Sequence, residues 1–237
     1  HEAKIYEYDI PLTYSVVTDD DDVHKKIIYN SEEKFKKEYS QKYSWVLKEL
    51  FNKQATITNC SNCSYYTINY DSQHILQLPI LENMVSTSIY DYLNNYFGKE
   101  ILDCWKCDSC DNTNGNSKQY RFIECPQTLI IQLKRFEYCT KRNSRFKIVK
   151  HVDYPLILNM SPYKLVNKSI NSKYELFGVV NHRGVSPFGG HYYSYCKNIK
   201  SKKDNNWYKL NDETITQISS DKIINDNAYI LFYQLIN

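Results

Sequence analysis

Apolar residues recur at helical spacing through NSEEKFKKEYSQKYSWVLKELF, residues 30–51. Phe35, Tyr39, Tyr43, Val46, Leu47 and Leu50 fall on one side of that repeat. Asn30 and Glu33 have the spacing of an N-terminal cap pair, so the pattern predicts one amphipathic helix starting there. TSIYDYLNNYFG predicts a second helix, with Ser88 and Asp91 at capping-box spacing and Gly98 as its stop. Beyond Gly98 the period shortens to two. In TLIIQLKRF, Leu129, Ile131 and Leu133 share one face while Gln132 and Lys134 share the other. YELFGVVNH, HYYSYC, NWYKLN and AYILFYQL are short, aromatic or β-branched, and separated by turn formers. The predicted class is α+β with a mainly antiparallel C-terminal sheet.

A chain of 237 residues with 42% apolar and 24% charged positions has ample material for a core. The net charge of +3 is weak and its lysines are scattered, which argues against nucleic acid as a partner. The acidic run at 19–22 reads as a solvated loop. No apolar stretch approaches the roughly 18 residues that cross a bilayer, so no membrane association is expected. HEAKIYEYDI lacks the plan of a secretory signal and begins without methionine, so the chain is expected to be a fragment or a processed product. Eight cysteines without such a signal point to a reducing compartment, cytoplasmic or nuclear, where thiols serve metals or catalysis.

The cysteines are unevenly placed. Cys60 and Cys63 form one C-x2-C, and Cys107 and Cys110 another. Each turn aims two thiolates at one point, and two turns together close a tetrahedral zinc site with no open position. Such zinc is structural. Cys104 offers a competing register with Cys107 and is expected to be a buried neighbour of the site.

A histidine follows two glycines in GGHYYSYCKN. Folding HYYSYCKN against NNWYKLND as a hairpin centred on Ser201 sets Tyr195 opposite Trp207, Tyr193 opposite Lys209 and His191 opposite Asn211. The Asn211 amide then accepts from one imidazole nitrogen and leaves the other as a base; a slip of one residue offers Asp212 instead. Spacing alone leaves a catalytic pair and a structural cross-strand pair equally open.

Taken together, YELFGVVNHRGVSPFGGHYYSYCKN, WYKLND, AYILFY, LIIQLKRF and the two cysteine knuckles, in this order, resemble the ubiquitin-specific protease family, from about residue 31 onward. The resemblance implies a papain-like fold of thumb, palm and fingers. On that reading residues 1–50 precede the fingers and carry one amphipathic helix. The zinc-bearing fingers occupy 51–127, and the palm sheet 128–237. It implies that His191 is the general base, Asn211 its orienting residue and Asp212 an acidic neighbour. Arg135, Phe136, Gly189, Gly190 and Tyr192 match positions along the channel for ubiquitin's flexible tail, and residues 183–190 match a mobile loop over it. His182 is a rival base and reads as structural. The implied partners are ubiquitin and ubiquitinated proteins, and the only implied cofactor is zinc.

One departure matters. The family opens its catalytic domain with a box of the type G-N-T-C-Y that carries the nucleophile, and no such box occurs here. The expectation is therefore fingers and palm with the thumb largely absent. The nucleophile of this deubiquitinating thiol protease would lie upstream of residue 1, leaving the 237 residues inactive alone. The alternatives are a catalytically dead ubiquitin-binding module of the same fold and a zinc-ribbon interaction module.

Overall fold

A computed structural model describes residues 20–40, 44–81, 85, 87–140, 143–165, 172–186, 189–197 and 205–236. They form two compact units built from interleaved segments: 1–74, 97–127 and 160–172 make one, and 75–96, 128–159 and 173–237 the other.

In the first unit the alternating segment NKQATITN forms β1 (Asn52–Asn59). It pairs antiparallel on one side with β2 (Tyr66–Gln73) and on the other with β5 (Asn116–Glu124), which also holds the short β4 (Glu100–Leu102). Helix α1 (Asp20–Tyr39) contributes Ile27 to a cluster with Ala55 and Ile123, against which Ile57, Ile68 and Leu165 pack. Glu32 on the helix and Glu124 on β5 both reach Lys53, whose pKa is raised; burial works against the rise and the two carboxylates outweigh it.

The helix differs from the sequence expectation. It begins ten residues before Asn30 and ends at Tyr39; α2 (Trp45–Leu50) is separate, and residues 41–43 of the expected helix lie outside those described. Ile27, Ser31 and Phe35, four residues apart and each buried, carry the buried face upstream through a segment that reads as polar. Asn30 therefore sits mid-helix, and its amide donates to the Tyr70 hydroxyl instead of capping.

The second unit is one large sheet. Its strands are β3 (Leu76–Pro79), β6 (Thr128–Lys134), β10 (Lys173–Ser186), β11 (Gly189–Lys197), β12 (Trp207–Asn211), β13 (Thr214–Ile218) and β14 (Ala228–Leu235), in the order β13-β12-β11-β10-β14-β6-β3. β9 (Ile157–Asn159) pairs beside β10. The pairing is antiparallel except between β3 and β6, so the mainly antiparallel expectation holds. Leu129, Ile131 and Leu133 of β6 are all buried, as their alternation requires. Two further strands, β7 (Phe136–Cys139) and β8 (Ser144–Lys147), form a separate hairpin.

Helix α3 (Ile89–Tyr96) buries Ile89, Tyr92 and Leu93. Ser88 caps it, its hydroxyl accepting from the Tyr90 amide at 3.3 Å. Gly98 does not stop it in the expected way: the helix ends at Tyr96, and Gly115 and Gly184 are the described glycines with left-handed backbone.

Candidate functional site

Two constellations stand out, one in each unit. In the first, Cys60–Cys63 form the turn between β1 and β2, closed by the Cys60 amide donating to the Tyr65 carbonyl at 3.0 Å. Cys107 and Cys110 form the turn between β4 and β5, where the Cys107 amide donates to the Asn112 carbonyl at 2.9 Å. Because β1 lies between β2 and β5, the two hairpin tips meet.

All four sulfurs lie within 4.8 Å of one another; Cys60 is 3.6 Å from Cys110 and Cys63 is 3.7 Å from Cys107. Zn–S bonds of about 2.3 Å make a tetrahedron with sulfur edges of about 3.8 Å. The donor set thus fits a closed structural zinc site. Desolvation works against a Cys60 thiolate, but amide donors from Asn62 and Cys63 and the neighbouring thiols outweigh it and bring its pKa down to about 6.

Cys104 is exposed, not the buried neighbour expected, and stands outside the cluster. The residue that sequence reasoning missed is Asn116. Fully buried, it accepts from the Ser61 amide at 3.1 Å and donates to the Trp105 and Asn112 carbonyls at 2.8 and 3.0 Å, so it ties both cysteine turns together. Its one advance signal is an asparagine, the last of three at 112, 114 and 116, at the start of a strand.

In the second unit β11 carries His191, Asn211 ends β12, and the turn that follows carries Asp212. The imidazole Nε2 of His191 is 2.5 Å from Asn211 Oδ1 and 3.7 Å from the Asp212 carboxylate. An amide oxygen only accepts, so Nε2 holds the proton and Nδ1 keeps a lone pair. The imidazole is half exposed, at 48%.

The register that achieves this is not the expected one. Tyr195 pairs with Lys209 and Lys197 with Trp207, two residues displaced from a hairpin centred on Ser201. That centre lies outside the described residues. A displacement of two preserves the face, because strand side chains alternate with period two, so His191 meets Asn211 on a diagonal. Asp212 approaches by another route than a register slip: its left-handed backbone, φ 51°, in the two-residue β12–β13 turn brings it toward the imidazole.

On the opposite face of β10 and β11, His182 pairs with Tyr192. His182 contacts Phe136 edge-on with ring centroids 5.3 Å apart, and lies 4.7 Å from Tyr192; Tyr229 closes the group at 5.6 Å from Phe136. Tyr229 was not singled out from the sequence. His182 is buried, its Nδ1 has no partner among the described residues, and burial followed by the nearby Lys147 lowers its pKa.

Glycine is required at 190, where an added Cβ falls 2.8 Å from the Arg183 carbonyl and collides with the His182 ring. At Gly189 nothing lies within 4 Å. Arg135 is fully buried. Its Nε donates to the Ala228 carbonyl at 2.7 Å and its Nη1 to those of Ile148 and Lys150 at 3.1 and 2.6 Å, so the guanidinium faces inward. Of the loop at 183–190, residues 187 and 188 lie outside those described.

Comparison with known proteins agrees with this picture. The family model for ubiquitin carboxyl-terminal hydrolase matches residues 17–233. Ubiquitin carboxyl-terminal hydrolase 25 of Arabidopsis thaliana is 31% identical over 90% of this chain and 30% of its own length. The probable ubiquitin carboxyl-terminal hydrolase R319 of Acanthamoeba polyphaga mimivirus is 30% identical over 84% of this chain and 43% of its own. Among solved structures, the SAGA DUB module containing Ubp8, bound to monoubiquitin, superposes with a TM-score of 0.74 at 27% identity, over 90% of this chain and 47% of that one. This chain thus spans less than half the length of each of these relatives. With its four-cysteine zinc site and this match along most of its length, the chain belongs to the ubiquitin carboxyl-terminal hydrolase family and has the fold of its ubiquitin-specific protease domains.

Proposed function

We propose that this chain supplies the base, its orienting residue and the ubiquitin-tail channel of a deubiquitinating thiol protease, which hydrolyses the bond after ubiquitin's C-terminal glycine. The observation that carries the reading is the 2.5 Å contact of His191 Nε2 with Asn211, in a member of this family. It leaves Nδ1 to take the proton of a thiol. The thiolate adds to the glycine carbonyl. The proton on His191 then passes to the departing amine as the C–N bond breaks, and a water deprotonated by His191 cleaves the thioester. Asn211 holds the imidazole throughout, and Asp212 adds negative charge beside the imidazolium.

The thiol is proposed to come from a cysteine outside residues 1–237. Cys60, Cys63, Cys107 and Cys110 belong to zinc. Cys196 is five residues along β11 from His191, on the alternate face and about 16 Å away at strand rise. Burial also raises its pKa, the reverse of what a nucleophile needs. Cys125 is flanked in sequence by β5 and β6, without a helix N-terminus beside it.

Phe136, Tyr192, Gly189 and Gly190 are proposed to line the channel for the tail. Arg135, turned inward, would act by fixing the strands that carry them. Ubiquitin is the proposed partner, supported by the family and by monoubiquitin in the Ubp8 complex. No described helix is long and apolar enough to cross a membrane. A cytoplasmic or nuclear location is proposed from the cysteine usage, four of the eight cysteines gathering at a metal site.

The test is cleavage of a ubiquitin–fluorophore substrate by the full-length gene product, with the 237-residue chain alone as control. The full-length protein should cleave and be labelled by a thiol-reactive ubiquitin at a cysteine outside this numbering. Ubiquitin binding without cleavage by the full-length protein would assign a ubiquitin-binding module instead.

A further inference from the structure

The β10–β11 ladder sets Arg183 directly opposite His191, and His182 opposite Tyr192. Alternation then divides these residues between two faces. The aromatic group of Phe136, His182, Tyr192 and Tyr229 occupies one face. Arg183, His191 and the Asn211–Asp212 turn occupy the other. Directly opposed side chains on one face have Cβ atoms about 5 Å apart, so Arg183 and His191 are cross-strand neighbours.

Arg183 is exposed and makes no ion pair among the described residues. Charged residues on this face include Asp212, 3.7 Å from His191, and Lys209, whose Nζ lies 4.8 Å from the centre of the Tyr193 ring; Glu213, exposed, follows Asp212 in the turn. Asp212 stands on the imidazole; the permanently charged fork of Arg183 is left to solvent.

We propose that Arg183 determines specificity on the leaving-group side, its guanidinium receiving an acidic side chain next to the lysine from which ubiquitin is released. This rests on the hydrolase reading above. There the tail is assigned to the side of Phe136 and Tyr192, and the bond to be broken lies at His191. What extends past that bond on the Arg183 face belongs to the modified protein, not to ubiquitin. A planar guanidinium matches a carboxylate through two parallel hydrogen bonds, which a lysine point charge does not reproduce. Because the site is exposed, the preference is modest, about three- to fivefold, and shrinks as salt screens it.

The experiment uses the full-length gene product and two substrates. Each joins ubiquitin through its C-terminal glycine to the lysine of a short peptide, flanked by glutamates in one and by lysines in the other. The wild type should show a kcat/KM about three- to fivefold higher for the acidic peptide. Arg183→Ala should abolish the difference, Arg183→Glu should reverse it, and Arg183→Lys should retain part. A ubiquitin–fluorophore substrate with a neutral leaving group gives the baseline rate of each protein, and the acidic-to-basic ratio is read apart from that baseline, which separates this role from tuning of His191. Equal wild-type rates on the two peptides, or a ratio unchanged in Arg183→Glu, would overturn the assignment while leaving the hydrolase intact. Failure of the wild type to cleave any of the three substrates would overturn the hydrolase reading, and this inference with it.

Discussion

Asn211 holds His191 on a diagonal. The β11–β12 ladder runs out at Ser194 and Leu210, and Asn211 continues it level with Tyr193, two residues from His191. Its amide oxygen still lies 2.5 Å from the imidazole Nε2. The contact thus depends on the end of β12 and its turn as much as on the hairpin register.

Two substitutions separate the partners of this contact. Asn211→Ala removes the acceptor and leaves only the Asp212 carboxylate, 3.7 Å away and 74% exposed. We expect kcat on ubiquitin–fluorophore to fall on the order of tenfold or more, with ubiquitin affinity unchanged. Asp212→Asn should cost no more than about threefold, since an exposed charge pair is screened. Steady-state kinetics of the full-length protein on both variants checks the order.

Adjacent glycines should differ sharply. Gly190→Ala drives a methyl into the His182 ring, where nothing flexible can yield, whereas Gly189→Ala meets open space. Overpacking of this kind costs about 1–3 kcal/mol, so thermal denaturation should register a clear drop in Tm for the first variant and almost none for the second. Equal Tm values would contradict the packing described.

How much of this could be read in advance follows from how local each signal is. The two C-x2-C turns are complete within four residues each, so the sequence shows the zinc donors directly. The His191–Asn211 juxtaposition survives an error of two in register because parity alone sets the face. Asn116 is different: the bond it accepts from the Ser61 amide, which joins one knuckle to the other, exists only once β1 lies beside β5. The early start of α1 was hidden for a similar reason. Ile27 and Ser31 become a stripe only against a sheet formed later in the chain. Cys104 carried a plausible spacing, but the turn buries Cys107 and leaves Cys104 exposed.

Zinc removal should act on the first unit. Elemental analysis of purified protein should give about one zinc per chain, and Cys107→Ser, at the buried ligand, should lose it. We expect Tm to fall by on the order of 10 °C, with hydrogen exchange rising first at the β1–β2 and β4–β5 tips. A variant without metal that kept wild-type protection there would count against a structural role.

Acid should weaken the second unit through His182. Burial, then Lys147, lowers its pKa below the ordinary value, so the unfolded chain binds the proton more readily than the folded one. Its contribution is therefore fully present above about pH 6.5 and is lost as pH falls from there toward the lowered folded value. In His182→Leu the dependence of Tm on pH between about 7 and 5 should flatten. An unchanged slope would show that this imidazole does not titrate with unfolding.

The central claim, that His191 is the base of a ubiquitin-specific thiol protease, is met most directly by one comparison. Turnover of ubiquitin–fluorophore and affinity for ubiquitin are measured together for the full-length wild type and His191→Ala. A positioned base contributes about 10²–10⁴ in rate, so kcat should fall by at least a hundredfold while Kd for ubiquitin stays within about twofold. A His191→Ala enzyme that turned over within about tenfold of wild type would contradict the account.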